Sequence, residues 1–498
     1  GGMNPNAART FMAANAMTRD KTFGNYPAAQ AILSAVYEGT QVPMDLGLKI
    51  EAKYFLSLIR GDVAPNMIRT LFVNKGKADK LARRPQGVPK AKFKKIGILG
   101  AGMMGAAIAY VAASNGIEVV LIDRDLDAAE RGKGYAKKLV EGAISKRRMS
   151  RADGDALLNR ITPAADFALL ADVDYVVEAV FEDRAIKADV TKRAETVIRS
   201  DVVFGSNTST LPITGLAEAS GRPDKFIGIH FFSPAEKMPL VEIIRGKKTS
   251  DVALAITLDF VQAIRKTPIV VNDGRGFFTS RFCGCYIMEG EIMLAEGVPP
   301  ALIENAGKLA GMPVGPLALA DETAIDLGWK IHKAAEADLG GAYRPSPAVG
   351  VMETMYVKNG RAGRKNGKGF YDYPEKGQKS LWRGLDDLYP PKPECEWPSV
   401  DELKKRLLYA QALDAVRCME EGVLTNPEDG DVGGIFGLGF APYTGGPLSL
   451  IDTVGVAEFV QECDALAKKY GERFTPPKLL RDMAAKGETF YPKAKAAA

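Results

Sequence analysis

From Lys95 to Arg124 the chain reads KIGILGAGMMGAAIAYVAASNGIEVVLIDR, and this segment leaves few folds open. Ile96 to Leu99 form an apolar run of the kind found in buried parallel strands. Gly100, Gly102 and Gly105 follow at G-x-G-x-x-G spacing. Ala106 to Ala113 then reads as a helix, Glu118 to Ile122 as a second strand, and Asp123 closes the unit. This is the βαβ frame of a dinucleotide site. The first glycine permits the tight turn, the second lets backbone approach a pyrophosphate, and the third lets helix and strand pack closely. The helix N-terminus offers unpaired N–H groups to the phosphates. A carboxylate at Asp123 accepts from both ribose hydroxyls and repels a 2′-phosphate, which favours NAD over NADP. Arg124 beside it is the one feature pulling the other way.

The 498 residues suffice for about three domains. Hydrophobic residues make up 46%, enough for real cores, and the net charge of +5 is modest. No basic stripe with interleaved aromatics points to nucleic acid. No apolar run reaches a membrane span, and no signal-peptide pattern opens the chain. The five cysteines (Cys283, Cys285, Cys395, Cys418 and Cys463) lack paired or zinc-ligand spacing. A reducing compartment, the cytoplasm, is expected.

Residues 1–94 read as a helical segment, with apolar residues at helical spacing in Ala28 to Tyr37 and Leu46 to Ile59, followed by a basic, proline-containing linker from Arg83. That basic run is expected to be a solvated connector. Residues 95–275 alternate strands and helices, with further apolar runs at Val173–Val177, Val202–Phe204, Phe226–Ile229 and Ile269–Val271. Asp125 to Asn159 suggests a helical hairpin inserted there. Helical patterns take over afterwards, in two related stretches, 276–385 and 386–498, separated by the proline-rich YPPKPECEWPS. Glu296-Gly297-Val298, Gly315-Pro316-Leu317 and Asp326 in the first are matched with Glu421-Gly422-Val423, Gly446-Pro447-Leu448 and Asp452 in the second. Such a doubled helical domain packs as an internal pseudo-dimer, and a monomer or homodimer is expected. The fold class is therefore an α/β Rossmann-type NAD-binding domain followed by two related all-α domains, with an N-terminal helical segment.

There are two histidines, His230 and His332. His230 ends a strand in GIHFFSP, on the side where sheet carboxyl ends face a ligand crevice. Glu242 lies in PLVEII, and an antiparallel return would set its carboxylate beside the imidazole. Ser209, in SNTSTLPI, follows another strand. Together they suit alcohol oxidation. A histidine takes the hydroxyl proton near neutral pH, a carboxylate fixes its tautomer, and a serine holds the substrate oxygen. On pattern alone, His230 is equally a satisfied strand-end group, Glu242 a surface acid and Ser209 a helix cap. His332, in LGWKIHKAA, reads as a helix-face residue. The loop GRAGRKNGK, with Arg361, Arg364, Lys365 and Lys368, reads either as phosphate-facing or as a solvated turn.

The glycine loop, VVEAVFEDRAIK (176–187), SNTSTLPI (206–213), HFFSP (230–234) and GRKNGKGFYDY (363–373) stand in the order of one family. The chain resembles the L-3-hydroxyacyl-CoA dehydrogenases, which oxidise (S)-3-hydroxyacyl-CoA to 3-ketoacyl-CoA with NAD⁺. The resemblance implies His230 as base, Glu242 as its partner and Ser209 as a ligand of the substrate hydroxyl. It also implies that Glu182 and Lys187 line the cofactor site. Ser233 and Ser280 stand where the family commonly has asparagines, in HFFSP and GFFTSR, and are expected on the substrate side. NYPAAQAIL (25–33) and LGLKIEAKYFLSLI (46–59) are similar to the helix joining hydratase and dehydrogenase halves in multifunctional fatty-acid β-oxidation enzymes. Because 94 residues precede the first strand, fewer than a hydratase fold needs, the hydratase half is expected to be absent. An acyl-CoA substrate is implied, with a thiolase subunit as a partner. A scaffold subunit with a vestigial NAD site is the competing reading.

Overall fold

The chain is described from a computed structural model, over residues 5–492. It divides into two units. One comprises residues 72–281 with 418–438, and the other residues 1–71, 282–417 and 439–498.

The first unit is built on one eight-stranded sheet: β1 Lys95–Leu99, β2 Glu118–Ile122, β3 Ile161–Ala164, β4 Tyr175–Glu178, β5 Val203–Ser206, β6 Phe226–Phe231, β7 Leu240–Arg245 and β8 Thr267–Asn272, in the order β3-β2-β1-β4-β5-β6-β7-β8. β1 to β6 are mutually parallel, β7 runs antiparallel to β6, and β8 is parallel to β7. Continuous apolar runs form these strands because helices cover both faces. Ile96, Ile98, Val177, Ile227 and Ile243 are fully buried. β3 carries no apolar run and reads poorly in the sequence. As an edge strand it tolerates Pro163, which has no N–H to give a neighbour. The expected helical hairpin is present as Leu126–Ser145 and Arg151–Asn159, capped by Asp125 and Ser150, whose side chains accept from Ala128 and Asp153 N–H.

The basic linker departs from its expected role. Arg84 Nε and Nη2 lie 2.8 and 2.9 Å from the two oxygens of fully buried Asp259, so this part of the connector is docked, not solvated. The helix Pro427–Leu438 also belongs to this unit. A Cβ at Gly433 would lie 2.7 Å from Ile269 Cδ1 and 3.0 Å from the Phe278 ring, so glycine lets this helix approach both side chains closely.

The second unit is helical. It opens with helices Pro5–Thr22, Pro27–Gly39 and Met44–Arg60, the last without a buried residue. The helix pair Pro316–Thr323 and Ile325–Leu339 has the same lengths as Pro447–Val454 and Val456–Tyr470. The repeat is anchored by a carboxylate that differs from the expected one. Asp321 accepts Phe370 and Tyr371 N–H at 2.8 and 2.9 Å, and Asp452 accepts Phe490 and Tyr491 N–H at 2.9 Å each. Asp321 stands in GPLALAD as Asp452 does in GPLSLID, so Asp321, not Asp326, is its counterpart. Burial pushes the Asp321 carboxyl up to about 6. No described helix is long and apolar enough to cross a membrane.

Candidate active site

The loop after β1 has the geometry a dinucleotide requires. Gly100 takes φ +96°, and a Cβ there would lie 2.6 Å from the Ala179 carbonyl. A Cβ on Gly105 would meet the Gly100 carbonyl at 1.8 Å, whereas one on Gly102 would meet nothing within 4 Å. The turn is thus sealed beneath and open above, where backbone can approach a ligand. The helix Met103–Ser114 starts there, with its first N–H groups directed beyond its end. Asp123 follows β2 and holds the loop, accepting Ala101 N–H and Arg124 N–H, both at 2.7 Å. Each carboxylate oxygen keeps acceptor capacity for ribose hydroxyls. These residues fit NAD.

His230 and Glu242 are directly opposed across the antiparallel β6–β7 pair. Their side chains therefore leave the same face of the sheet. Nδ1 of His230 lies 3.0 Å from Oε2 of Glu242, which is fully buried. Glu242 Oε1 accepts the N–H groups of Phe278 and Thr279, each at 3.1 Å, and Thr279 Oγ1 donates to Oε2. An ionised Glu242 assigns the proton to Nδ1 and leaves the Nε2 lone pair free. His230 packs on Phe232 and Phe277, with ring centroids 4.7 and 6.3 Å away.

The Ser209 loop is tied to this pair from two sides. Asn207 Oδ1 accepts Phe231 N–H at 2.9 Å, next to His230 in β6. Ser280 Oγ donates to the Ser209 carbonyl at 2.8 Å, one residue past Thr279. Glu182 Oε1 accepts from Thr208 Oγ1 at 2.6 Å and from Ser209 and Thr210 N–H at 3.0 and 3.3 Å. Lys187 is buried; its ammonium lies 2.8 and 3.1 Å from the oxygens of Glu178 and 3.5 Å from Glu182. Ser206 Oγ also donates to Glu178, at 2.6 Å. Ser233 Oγ faces Met103 Sδ at 4.0 Å, beside the glycine loop.

Glu178, Asn207 and Thr279 escaped the sequence reading. The first leaves a faint signal, an acid at the end of an apolar strand. Thr279 follows two phenylalanines at a helix start, where only the fold shows what its hydroxyl meets. The basic loop in the helical unit has partners within that unit. Buried Arg361 donates to the Gly369 carbonyl at 2.7 Å and stacks on Trp382, and Arg364 is held by Glu322 at 2.8 Å. Lys365 pairs with Asp326. Three of its four cations thus have partners within the unit, which favours the reading of this loop as a turn. His332, on its helix, meets the Tyr343 hydroxyl at 2.7 Å.

Residues 95–274 match the family model for the 3-hydroxyacyl-CoA dehydrogenase NAD binding domain, and residues 276–373 the model for the 3-hydroxyacyl-CoA dehydrogenase C-terminal domain. The chain is 38% identical over 477 residues to the fatty acid oxidation complex subunit alpha of Shewanella amazonensis, covering 95% of this chain and 66% of that one. With the same subunit of Shewanella baltica the identity is 37%, over 97% and 68% of the two chains. The chain thus spans about two-thirds of the length of these relatives. Among solved structures, (S)-3-hydroxybutyryl-CoA dehydrogenase PaaH1 from Ralstonia eutropha superposes with a TM-score of 0.54 at 34% identity, covering 57% of this chain and all of that one. The chain belongs to the 3-hydroxyacyl-CoA dehydrogenase family and carries that family's NAD-binding domain.

Proposed function

We propose that this chain oxidises the 3-hydroxyl of an (S)-3-hydroxyacyl-CoA to the ketone, with His230 as base, as a step of fatty-acid β-oxidation. The observation that carries this reading is the buried His230–Glu242 pair, 3.0 Å apart where antiparallel β7 follows the parallel strands, in the sheet whose first strand leads into the glycine loop. NAD⁺, when bound, supplies the hydride acceptor, held by residues 100–105 with Asp123 on its ribose. Nε2 of His230 takes the hydroxyl proton. Glu242 keeps the proton of Nδ1 in place and offsets the charge of the imidazolium. Ser209 holds the substrate oxygen. Ser233 and Ser280 stand on the substrate side, Ser280 chiefly by supporting Ser209. Glu182 shapes the cofactor wall, and Lys187 supports it from behind by neutralising Glu178.

We read the chain as four segments, 1–94, 95–275, 276–385 and 386–498, the last two being copies of one helical domain. The naming of the Shewanella relatives as subunits of a fatty acid oxidation complex supports assembly with a partner, for which a thiolase is the chemical fit. The free cysteines support a reducing, cytoplasmic setting. The test is NADH consumption with acetoacetyl-CoA, run beside His230→Gln. Turnover lost in the variant, with NADH binding retained by fluorescence titration, supports the base; near-parental turnover removes it.

A further inference from the structure

Glu242 accepts more than its role beside His230 requires. Oε1 takes two backbone N–H groups, and Oε2 takes both His230 Nδ1–H and the Thr279 hydroxyl. Thr279 is fully buried, and its oxygen lies 3.4 Å from Nδ1, so hydroxyl and imidazole compete for one carboxylate oxygen. Each donor draws negative charge from the carboxylate and weakens its pull on the imidazolium. The backbone donors are available to any residue at this turn, whereas the hydroxyl depends on the side chain at position 279. The Phe278 ring packs closely on Gly433 behind the turn.

We propose that Thr279 is a positioning residue that sets the basicity of His230 by loading Glu242 Oε2 with a second donor. The proposal rests on His230 being the base, as argued above. His230 faces Glu242 from β7, Thr279 from the helix, and the rings of Phe232 and Phe277. Among the described residues, Glu242 is the charged group within ion-pair distance of it. Without the hydroxyl, Oε2 is left to Nδ1–H alone and the imidazolium gains. Proton release from His230 then moves to higher pH. In oxidation the acid limb of the rate profile rises, because the neutral ring is the base. In reduction the alkaline limb rises by the same amount, because the imidazolium is the acid.

Having two histidines in the chain makes the ring itself observable. With ¹⁵N-labelled histidine, the His230 signals are assigned by their loss in His230→Gln and titrated in the full chain. Thr279→Val keeps the volume and removes the hydroxyl; its midpoint is expected about 0.5 to 1 pH unit above the parent's. Thr279→Ser keeps the hydroxyl and is expected to titrate with the parent. Should the valine variant not fold, Thr279→Ala carries the same expectation. An unmoved or lowered midpoint in the hydroxyl-free variant, or a serine variant that shifts as far, overturns the proposal. These readings need no turnover. A His230→Gln variant that stays active sinks the base assignment, while a null shift in Thr279→Val sinks only the role of Thr279.

Discussion

Replacing Glu242 by glutamine tests the site most sharply, because the carboxylate serves donors at both oxygens. Glutamine has one acceptor oxygen and one N–H₂. If its carbonyl stays on the Phe278 and Thr279 N–H groups, now 3.1 Å from Oε1, its amide faces Nδ1 of His230. The imidazole then answers by accepting at Nδ1 and carrying its proton on Nε2, where no base remains. The opposite rotamer preserves the working tautomer but turns the amide against two buried backbone donors. Each buried donor left unpaired costs about 1–3 kcal/mol, so with two of them the active arrangement is disfavoured by about 2–6 kcal/mol. That translates into a loss of roughly 30- to 25,000-fold in turnover. The assay is steady-state NADH consumption with acetoacetyl-CoA, alongside NADH fluorescence titration and thermal unfolding to verify an intact site. A Glu242→Gln enzyme within about threefold of the parent would refute the tautomer argument.

Asp123→Ala removes the acceptor of Ala101 and Arg124 N–H. NADH affinity is expected to fall about tenfold, and the margin over NADPH to narrow; direct titration with both cofactors decides, and an unchanged preference speaks against Asp123 as the ribose ligand. Lys187→Met strands the buried Glu178 carboxylate and should cost about 3–5 kcal/mol, read as a lower urea midpoint, with Glu178→Gln in the same chain recovering much of it. Asp321 and Asp429 are both pushed up to about 6 by burial. Their folded forms bind protons more tightly than the unfolded chain, so the linked stability is complete below the ordinary carboxylate range and is lost as pH rises through 6. Together they should make the protein about 1–2 kcal/mol more stable at pH 5.5 than at pH 7, and urea midpoints that rise with pH over that window would contradict it.

What the sequence reveals here is what local spacing encodes. The glycine loop, Asp123 and the strand pattern are contiguous, and His230 and Glu242 sit twelve residues apart on one hairpin. Donors from distant segments are not legible in this way. Thr279 meets Glu242 across 37 residues, and Arg84 meets Asp259 across 175. β3 is missed because its strand character comes from its place at the sheet edge and not from an apolar run. Asp326 is mistaken for the counterpart of Asp452 because both are acids shortly after a Gly-Pro-Leu. The matching position shows only once the Phe-Tyr pair is seen seated on Asp321.

The antiparallel turn of β7 has a mechanical consequence. A pair carried as one rung of a hydrogen-bonded ladder inherits its spacing from the backbone, so no hinge lies between acid and imidazole. Breathing of the protein reaches that distance only by deforming the sheet, the stiffest part of the unit. Any adjustment at the site must then come from the segments around the rung, the 206–211 loop and the turn at 276–279, which are tied to it by side-chain hydrogen bonds and not by the ladder. In such a site the reorganisation that accompanies proton transfer is confined to the substrate side, because the protein has already made its half of the adjustment on folding.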